Sequence, residues 1–398
     1  MRAKANPSMT DAKSFTSNIN WPTTIRFGVG RIKELAEACH AAGIARPLLV
    51  TDPGLAKLPM IKNAVDLCAE AGLGAAMFFD IRPNPVEQNI YDGLEALKAG
   101  KHDGVIAFGG GSALDAGKIV AFMSGQNRPM WDFEDIGDWW TRADPSGILP
   151  IVAVPTTAGT GSEVGRAAVV THVASHTKKI LFHPKMMPKV VICDPELTIG
   201  LPPKITAGTG MDAFAHSLEA YCVASFHPYA DGVAIEGVRL VKEFLPRAVA
   251  NGEDIEARAN MLAAAGMGAT AFQKGLGAIH SLSHPVGAIH DTHHGLTNAV
   301  VMPYVLRFNR PSIEAKIVRL ARYIGLADAS FDGFVDWVLA LRKEIGVPHT
   351  LKDLGMSAGE IDRFAAMAAV DPTAGTNPVK IGVPELKMLY AFCLEGRL

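Results

Sequence analysis

Residues 104–118 read GVIAFGGGSALDAGK. GVIAF is a short apolar run of the kind that forms a strand buried on both faces, and a helix begins near Ala113. A strand running through glycines into a helix start is the geometry that holds a phosphate. Backbone N–H groups point at the anion, the glycines let it come close, and the helix dipole favours its charge. Without a ligand the same residues would make a tight turn between strand and helix. The pattern is neither GxGxxG nor a Walker loop. The usual dinucleotide fingerprint places its acidic residue about 20 residues after the glycines. Here the candidate ribose-binding acid is Asp52, which ends PLLVTD well before them. Such an acid would hold the 2′-hydroxyl of NAD and repel the extra phosphate of NADP. In TDPG it could equally serve as an ordinary turn residue.

Around this stretch the first half of the chain alternates strand-like and helix-like segments. PLLVTD (47–52), AAMFFD (75–80), GVIAFGGG (104–111), ILPIVAVPTT (148–157) and KVVICD (189–194) read as buried strands. GRIKELAEACHAAG and PMIKNAVDLCAEAG read as helices between the early ones. Such alternation implies a parallel, doubly wound sheet. From Met211 onward β-branched runs become rare, and Ala/Leu/Met-rich stretches such as GVRLVKEFLPRAV take over. The expected organisation is an α/β dinucleotide-binding domain over 1–200 and an all-helical domain over 201–398, with a ligand cleft between them.

A chain of 398 residues, 48% hydrophobic and 20% charged, can build a sizeable core. A formal charge of −2 gives no reason to expect nucleic acid or an anionic membrane as partner. Apolar runs such as IVAVP are broken by proline, so no membrane span is expected. The polar start, MRAKANPSMTDAKSFTSN, lacks the apolar segment of a secretory signal. Its first ~15 residues are expected to fray, with Met9 an alternative start. Cys39, Cys68, Cys193, Cys222 and Cys393 are odd in number and never form CxxC, which points to reduced thiols and a cytoplasmic home.

TAGTGMDAFAHSLEAY (206–221) reads as a helix after Gly210, with Met211, Phe214, Ala215 and Leu218 available for a buried stripe. Asp212 and His216 interrupt that stripe at i and i+4, on one face. GLGAIHSLSHPVGAIHDTHHG adds His280, His284, His290, His293 and His294. Imidazoles and a carboxylate together suit Zn²⁺, Fe²⁺ or a related divalent ion. Spacing alone leaves open which histidines take part. His280 and His284 share a face only if their helix continues to Pro285. The loop PTTAGTGSEV (155–164), hydroxyl- and glycine-rich after a buried strand, suits contacts to a cofactor's phosphate and ribose.

Taken together, GGGSALDAGK, PTTAGTGSEV, DPELTIGLPP, TAGTGMDAFAHSLEAY, GLGAIHSLSHPVGA and HHGLTNAVVMPYVLRFN resemble the iron-containing (group III) alcohol dehydrogenases, in that family's order and over nearly the whole chain. The resemblance implies a Rossmann-like N-terminal domain, a helical metal-binding domain, and NAD(P) in the cleft. By motif match, the metal ligands would be Asp212, His216, His280 and His294, and His284 would be a non-ligand near nicotinamide and substrate. Gly110, Gly111, Ser112, Thr156, Thr157, Thr160 and Lys178 match cofactor-contacting positions, and Asp52 matches the acid associated with NAD preference. A homodimer or larger homo-oligomer is the family's habit.

The function so implied is NAD-linked alcohol oxidation or aldehyde reduction. An alcohol on a divalent ion, Fe²⁺ or Zn²⁺, loses its proton easily, and the alkoxide passes hydride to nicotinamide. His284 is the candidate to relay the proton. The substrate would be a small primary alcohol or an ω-hydroxy acid such as 4-hydroxybutyrate. The latter is suggested by Arg166 in GRAAVV, where many relatives have threonine after GSEV; Arg166 could instead pair with Glu163 or Asp194. Thr373, before TNPVK, falls near the pocket by motif position. WDFEDIGDWW (131–140) adds aromatic bulk of unassigned placement. The alternatives are a glycerol dehydrogenase-like zinc enzyme of the same wider fold and a non-catalytic protein with a closed structural metal site.

Overall fold

The computed structural model describes residues 21–175 and 177–398. The segment expected to fray, Met9 included, lies outside the described residues. The first half runs β1 (Thr24–Phe27), α1 (Leu35–Ala41), β2 (Pro47–Val50), α2 (Pro59–Glu70), β3 (Met77–Phe78), α3 (Glu87–Ala99), β4 (Gly104–Gly109) and α4 (Gly111–Met123). It continues through β5 (Ile151–Pro155), β6 (Ala167–His172), β7 (Thr177–Phe182) and β8 (Val190–Cys193). Eight helices follow: α5 (Pro203–Cys222), α6 (Pro228–Ala250), α7 (Ile255–Ala271), α8 (Ala278–His290), α9 (His294–Tyr323), α10 (Phe331–Glu344), α11 (Ile361–Ala369) and α12 (Val383–Glu395).

Six strands form one parallel sheet in the order β1-β8-β5-β4-β2-β3. Strand side chains alternate between its faces. Leu49, Ile106, Phe108, Val152 and Val154 pack with α1 and α2. Leu48, Val50, Val105, Ala107, Ile151 and Ala153 pack on the opposite side with α3 and α4. Helices on both faces bury the central strands completely, which is why their sequences read as unbroken apolar runs. The C-terminal helices enclose a third core centred on α5. No helix among the described residues is long and apolar enough to cross a membrane.

Several local expectations change. The run AAMFFD contributes only Met77–Phe78, because β3 is an edge strand and Phe79 already faces solvent. Residues 167–182 form an antiparallel hairpin, β6 with β7, outside the main sheet. The aromatic segment 131–140 packs on that hairpin: Trp131 meets His172 at 5.0 Å, Trp140 meets Phe182 at 6.1 Å, and Lys179 bonds Glu134 at 2.7 Å. Helix α8 does continue through Pro285 to His290.

The largest correction concerns TAGTG, expected ahead of the helix. Helix α5 starts at Pro203, whose fixed φ suits a first turn, and TAGTG lies inside it. Its glycine serves close packing. A Cβ on Gly295, the second residue of α9, would lie 1.9 Å from the carbonyl oxygen of Gly208 and 2.9 Å from Cβ of Asp212. Only glycine lets these two backbones touch. Gly295→Ala should therefore destabilise the fold by on the order of 3 kcal/mol through overpacking against an unyielding backbone. Gly266→Ala, in α7 with no atom within 4 Å of the added carbon, should be neutral or stabilise by up to about 1 kcal/mol. Thermal unfolding of the two variants side by side checks both.

Candidate metal centre and nucleotide cleft

The contact between α5 and α9 sets the first half of the site. Asp212 and His216 project from one face of α5, while His294 opens α9 beside Gly295. Helix α8 supplies His280 and His284 one turn apart. Ligand atoms of Asp212, His280 and His294 all lie within 4.8 Å of one another. Nε2 of His294 is 3.4 Å from Asp212 Oδ1, and Nε2 of His216 and of His280 are each 3.8 Å from it. The rings of His216 and His280 stack at 4.9 Å. The structure thus groups three of the four expected ligands, and His216 approaches the same Asp212 oxygen from outside that group. His293 lies at the start of α9 against Gly208, and His290 bonds Glu360 at 3.0 Å, both away from that point.

The chemistry of these groups fits a divalent cation. Burial pushes the His216 imidazole down to about 4, opposed by Asp212. Burial, together with His280 and His284, holds His294 well below its ordinary value. Both are therefore neutral near pH 7, the form that donates a lone pair to a metal. At His280 burial also disfavours charge, but the Glu219 carboxylate outweighs it and raises the imidazole overall. Asp212, His216 and His280 have almost no side-chain exposure, whereas His294 keeps 26%, so the centre opens on the His294 side.

Three partners were not anticipated from sequence. Glu219 contacts His280 Nδ1 at 2.5 Å with one oxygen and accepts the Ile279 N–H at 2.7 Å with the other. A carboxylate accepts only, so His280 donates through Nδ1 and turns the Nε2 lone pair toward Asp212. Glu219 is seven residues after Asp212 and three after His216, on the same helical face, so spacing could have flagged it. Asp371 holds His284 Nδ1 at 2.7 Å in the same manner. Asn298 directs its amide nitrogen at Asp212 Oδ1, His280 Nε2 and His294 Nε2, at 2.9, 3.3 and 3.2 Å.

The glycine loop lies at the carboxyl ends of the parallel strands, where open sheets of this kind bind ligands. Gly110 caps α4, and Gly111 and Ser112 form its first turn. The loop after β5 packs directly against it. A Cβ on Gly111 would fall 2.6 Å from Thr160 Cγ2, one on Gly110 would meet Thr157 at 3.3 Å, and Thr156 N–H bonds Gly109 at 3.0 Å. Asp52 occupies the end of the adjacent strand β2. Its Oδ1 accepts from Gly54 and Leu55 N–H, the turn role, while its Oδ2 faces Gly109. Lys178, on β7, bonds Asn84 at 2.9 Å and points toward Gly287 of α8, on the metal side of the cleft.

A cavity of about 400 Å³ lies behind Phe272, with none of the four expected ligands in its wall. Its wall includes Phe272, whose ring packs edge-on against His216 at 5.1 Å, and Thr373, which bonds Asp371 at 2.6 Å. Arg166 lines the same cavity and pairs with neither expected carboxylate. Asp194 accepts instead from Ile32 and Glu196 N–H.

Glu219→Gln keeps an oxygen for the Ile279 N–H but removes the charge behind His280. Metal affinity, measured by chelator competition, should fall about 10- to 100-fold while the melting temperature of the metal-free protein changes little.

Comparison with known proteins places this geometry. The profile described as iron-containing alcohol dehydrogenase matches residues 22–195, and that of the Fe-containing alcohol dehydrogenase family, C-terminal, matches 206–393. The chain is 37% identical over 381 residues to 4-hydroxybutyrate dehydrogenase of Cupriavidus necator, covering 93% of this chain and 98% of that one. It superposes on 1,3-propanediol oxidoreductase with a TM-score of 0.89 at 33% identity, over 94% of this chain and 98% of that one. Sulfoacetaldehyde reductase from Bifidobacterium kashiwanohense in complex with NAD⁺ gives 0.85 at 32% identity, with the same coverage. Matched along both halves at such identity, the chain belongs to the iron-containing alcohol dehydrogenase family and is an oxidoreductase.

Proposed function

We propose that the chain is a metal-dependent, NAD-linked alcohol dehydrogenase, equally an aldehyde reductase, working on a small primary alcohol or ω-hydroxy acid. The observation that carries this reading is the grouping of Asp212, His280 and His294, with His216 3.8 Å from the Asp212 carboxylate, in a chain that also has a glycine loop at the carboxyl ends of the parallel strands. A closed structural metal site would bury every ligand and have no adjoining cleft. Here His294 is partly open. Relatives named for 4-hydroxybutyrate and for sulfoacetaldehyde, the latter solved with NAD⁺, support both the cofactor and an aldehyde or alcohol substrate.

Asp212 and the three imidazoles would hold the metal, Fe²⁺ or Zn²⁺. When bound, it would supply Lewis-acid polarisation of the alcohol oxygen. The backbone N–H groups of Gly110, Gly111 and Ser112 at the start of α4 are placed to take the cofactor's diphosphate. In this reading Thr156, Thr157 and Thr160, in the loop packed on the glycines, and Lys178 on β7 would contact the cofactor, and Asp52 would take the ribose. His284 is the catalytic base of this reading. It donates Nδ1–H to Asp371, which leaves the Nε2 lone pair free to accept a proton. Its ring stacks on that of His294 at 5.2 Å, beside the most exposed of the expected ligands. Phe272 packs edge-on against His216 at 5.1 Å and lines the cavity on that side.

The five cysteines are free and buried, which supports a cytoplasmic setting. Edge strand β1, with Ile25 and Phe27 exposed, supports assembly into a homodimer or larger oligomer.

Chelation should abolish NAD reduction with a panel of primary alcohols, and ferrous ion added without oxygen should restore it. The fluorescence change of NADH on binding should persist in the chelated protein, because the glycine loop does not use the metal. Turnover that survives exhaustive chelation would count against the reading. Separately, Asp52→Asn keeps an acceptor for Gly54 and Leu55 N–H but removes the charge. The NADH-over-NADPH preference in kcat/KM should drop at least about tenfold; an unaltered ratio would remove Asp52 from cofactor selection.

A further inference from the structure

We propose that Arg166 determines substrate specificity, and that the substrate alcohol or aldehyde carries an anionic tail, a carboxylate or sulfonate, paired with its guanidinium. The inference rests on the dehydrogenase reading above and names what that reading leaves open. Arg166 lines a cavity whose wall shares Phe272, packed on His216, and Thr373, bonded to Asp371, with the surroundings of the histidine cluster. Its guanidinium lies over the Phe182 ring at 5.6 Å, and among the described residues no carboxylate comes within ion-pairing distance. A partly desolvated guanidinium with no partner is an unfavourable arrangement that a bound anion corrects. The wall also carries Ile180, Phe182, Met187, Ala269 and Phe272, an apolar lining suited to a short methylene chain.

The backbone around Arg166 is fixed at a cost in desolvation. Lys118 of α4 is wholly buried, and its ammonium donates to the carbonyls of Ser162 (3.0 Å), Gly165 (3.4 Å) and Ala167. The last two flank Arg166, whose own carbonyl accepts the His183 N–H at 3.1 Å. Asp115, 3.5 Å from Lys118, binds the Ser162 hydroxyl and the Val169 N–H. Burying a lysine is unfavourable unless its donors are used. Here all three act on the turn that aims Arg166. The other charged residue on the described wall is Asp135, which makes no ion pair with Arg166 and whose carboxyl is pushed up by burial. An anionic tail must lie on the Arg166 side, and Asp135→Asn should lower its KM.

The test is steady-state NADH-linked reduction of succinic semialdehyde, sulfoacetaldehyde and butanal by the ferrous-loaded enzyme, with Arg166→Met and Arg166→Lys as variants. For the native enzyme, kcat/KM for at least one anionic aldehyde should exceed that for butanal by roughly 100-fold. Arg166→Met should collapse that ratio, mainly through KM for the anion, and Arg166→Lys should restore part of it. Whichever anion leads identifies the tail as carboxylate or sulfonate. Butanal matching both anions in the native enzyme, or a ratio untouched in Arg166→Met at an unchanged melting temperature, would overturn the proposal. Failure to reduce any of the three would instead strike at the dehydrogenase reading, and this inference would fall with it.

Discussion

The site depends on two helices touching backbone to backbone. Where Gly295 of α9 meets Gly208 of α5 there is no room for a single methyl group. That contact sets Asp212 and His294, 82 positions apart in sequence, within 3.4 Å of each other. A side chain on α9 at that point would push the helices apart and separate the two donors. Asp212, His216 and His280 are shut off from water by the neighbouring core, so each must find a partner within the protein or in a bound cation. Glu219 supplies part of that partnership from behind His280, and Asn298 supplies part of it from within.

The α/β half contributes a second fixed element. The turn after β4 and the turn after β5 interlock through Gly111 and Thr160, so the glycine loop and the threonine loop form one surface. Lys118 and Asp115, both on α4, extend the same surface to Arg166 and hairpin β6–β7. The helix whose start would hold a diphosphate therefore also fixes the residue proposed to read the substrate's tail. Cofactor and substrate positions are tied to one rigid piece, which is the arrangement hydride transfer needs.

Much of this was legible in the residues, for identifiable reasons. Strands β4 and β5 are buried on both faces, and their sequences show it as continuous apolar runs. Strand β1, with its mostly exposed TIRF, and hairpin β6–β7, AAVVTH paired with TKKILF and only partly buried, carry no such signal. Asp212 and His216 stand out because two polar groups at helical spacing break an apolar face. Their meeting with His280 and His294 was implied only by family resemblance, since no local rule links α5 to α8 and α9. Glu219 was readable by the same periodicity. Asp371 was not, because 87 residues separate it from His284 and nothing in the intervening sequence encodes the contact. The start of α5 was misplaced because glycines usually read as helix breakers, while here one permits a helix contact.

The central claim is that one cation is held jointly by α5, α8 and α9. Anomalous diffraction at the iron edge, from crystals grown with ferrous ion without oxygen, tests it most directly. The account predicts one strong peak within about 2.3 Å of an oxygen of Asp212 and of Nε2 of His216, His280 and His294. A peak that leaves out two or more of these side chains, or iron bound only elsewhere, would contradict it.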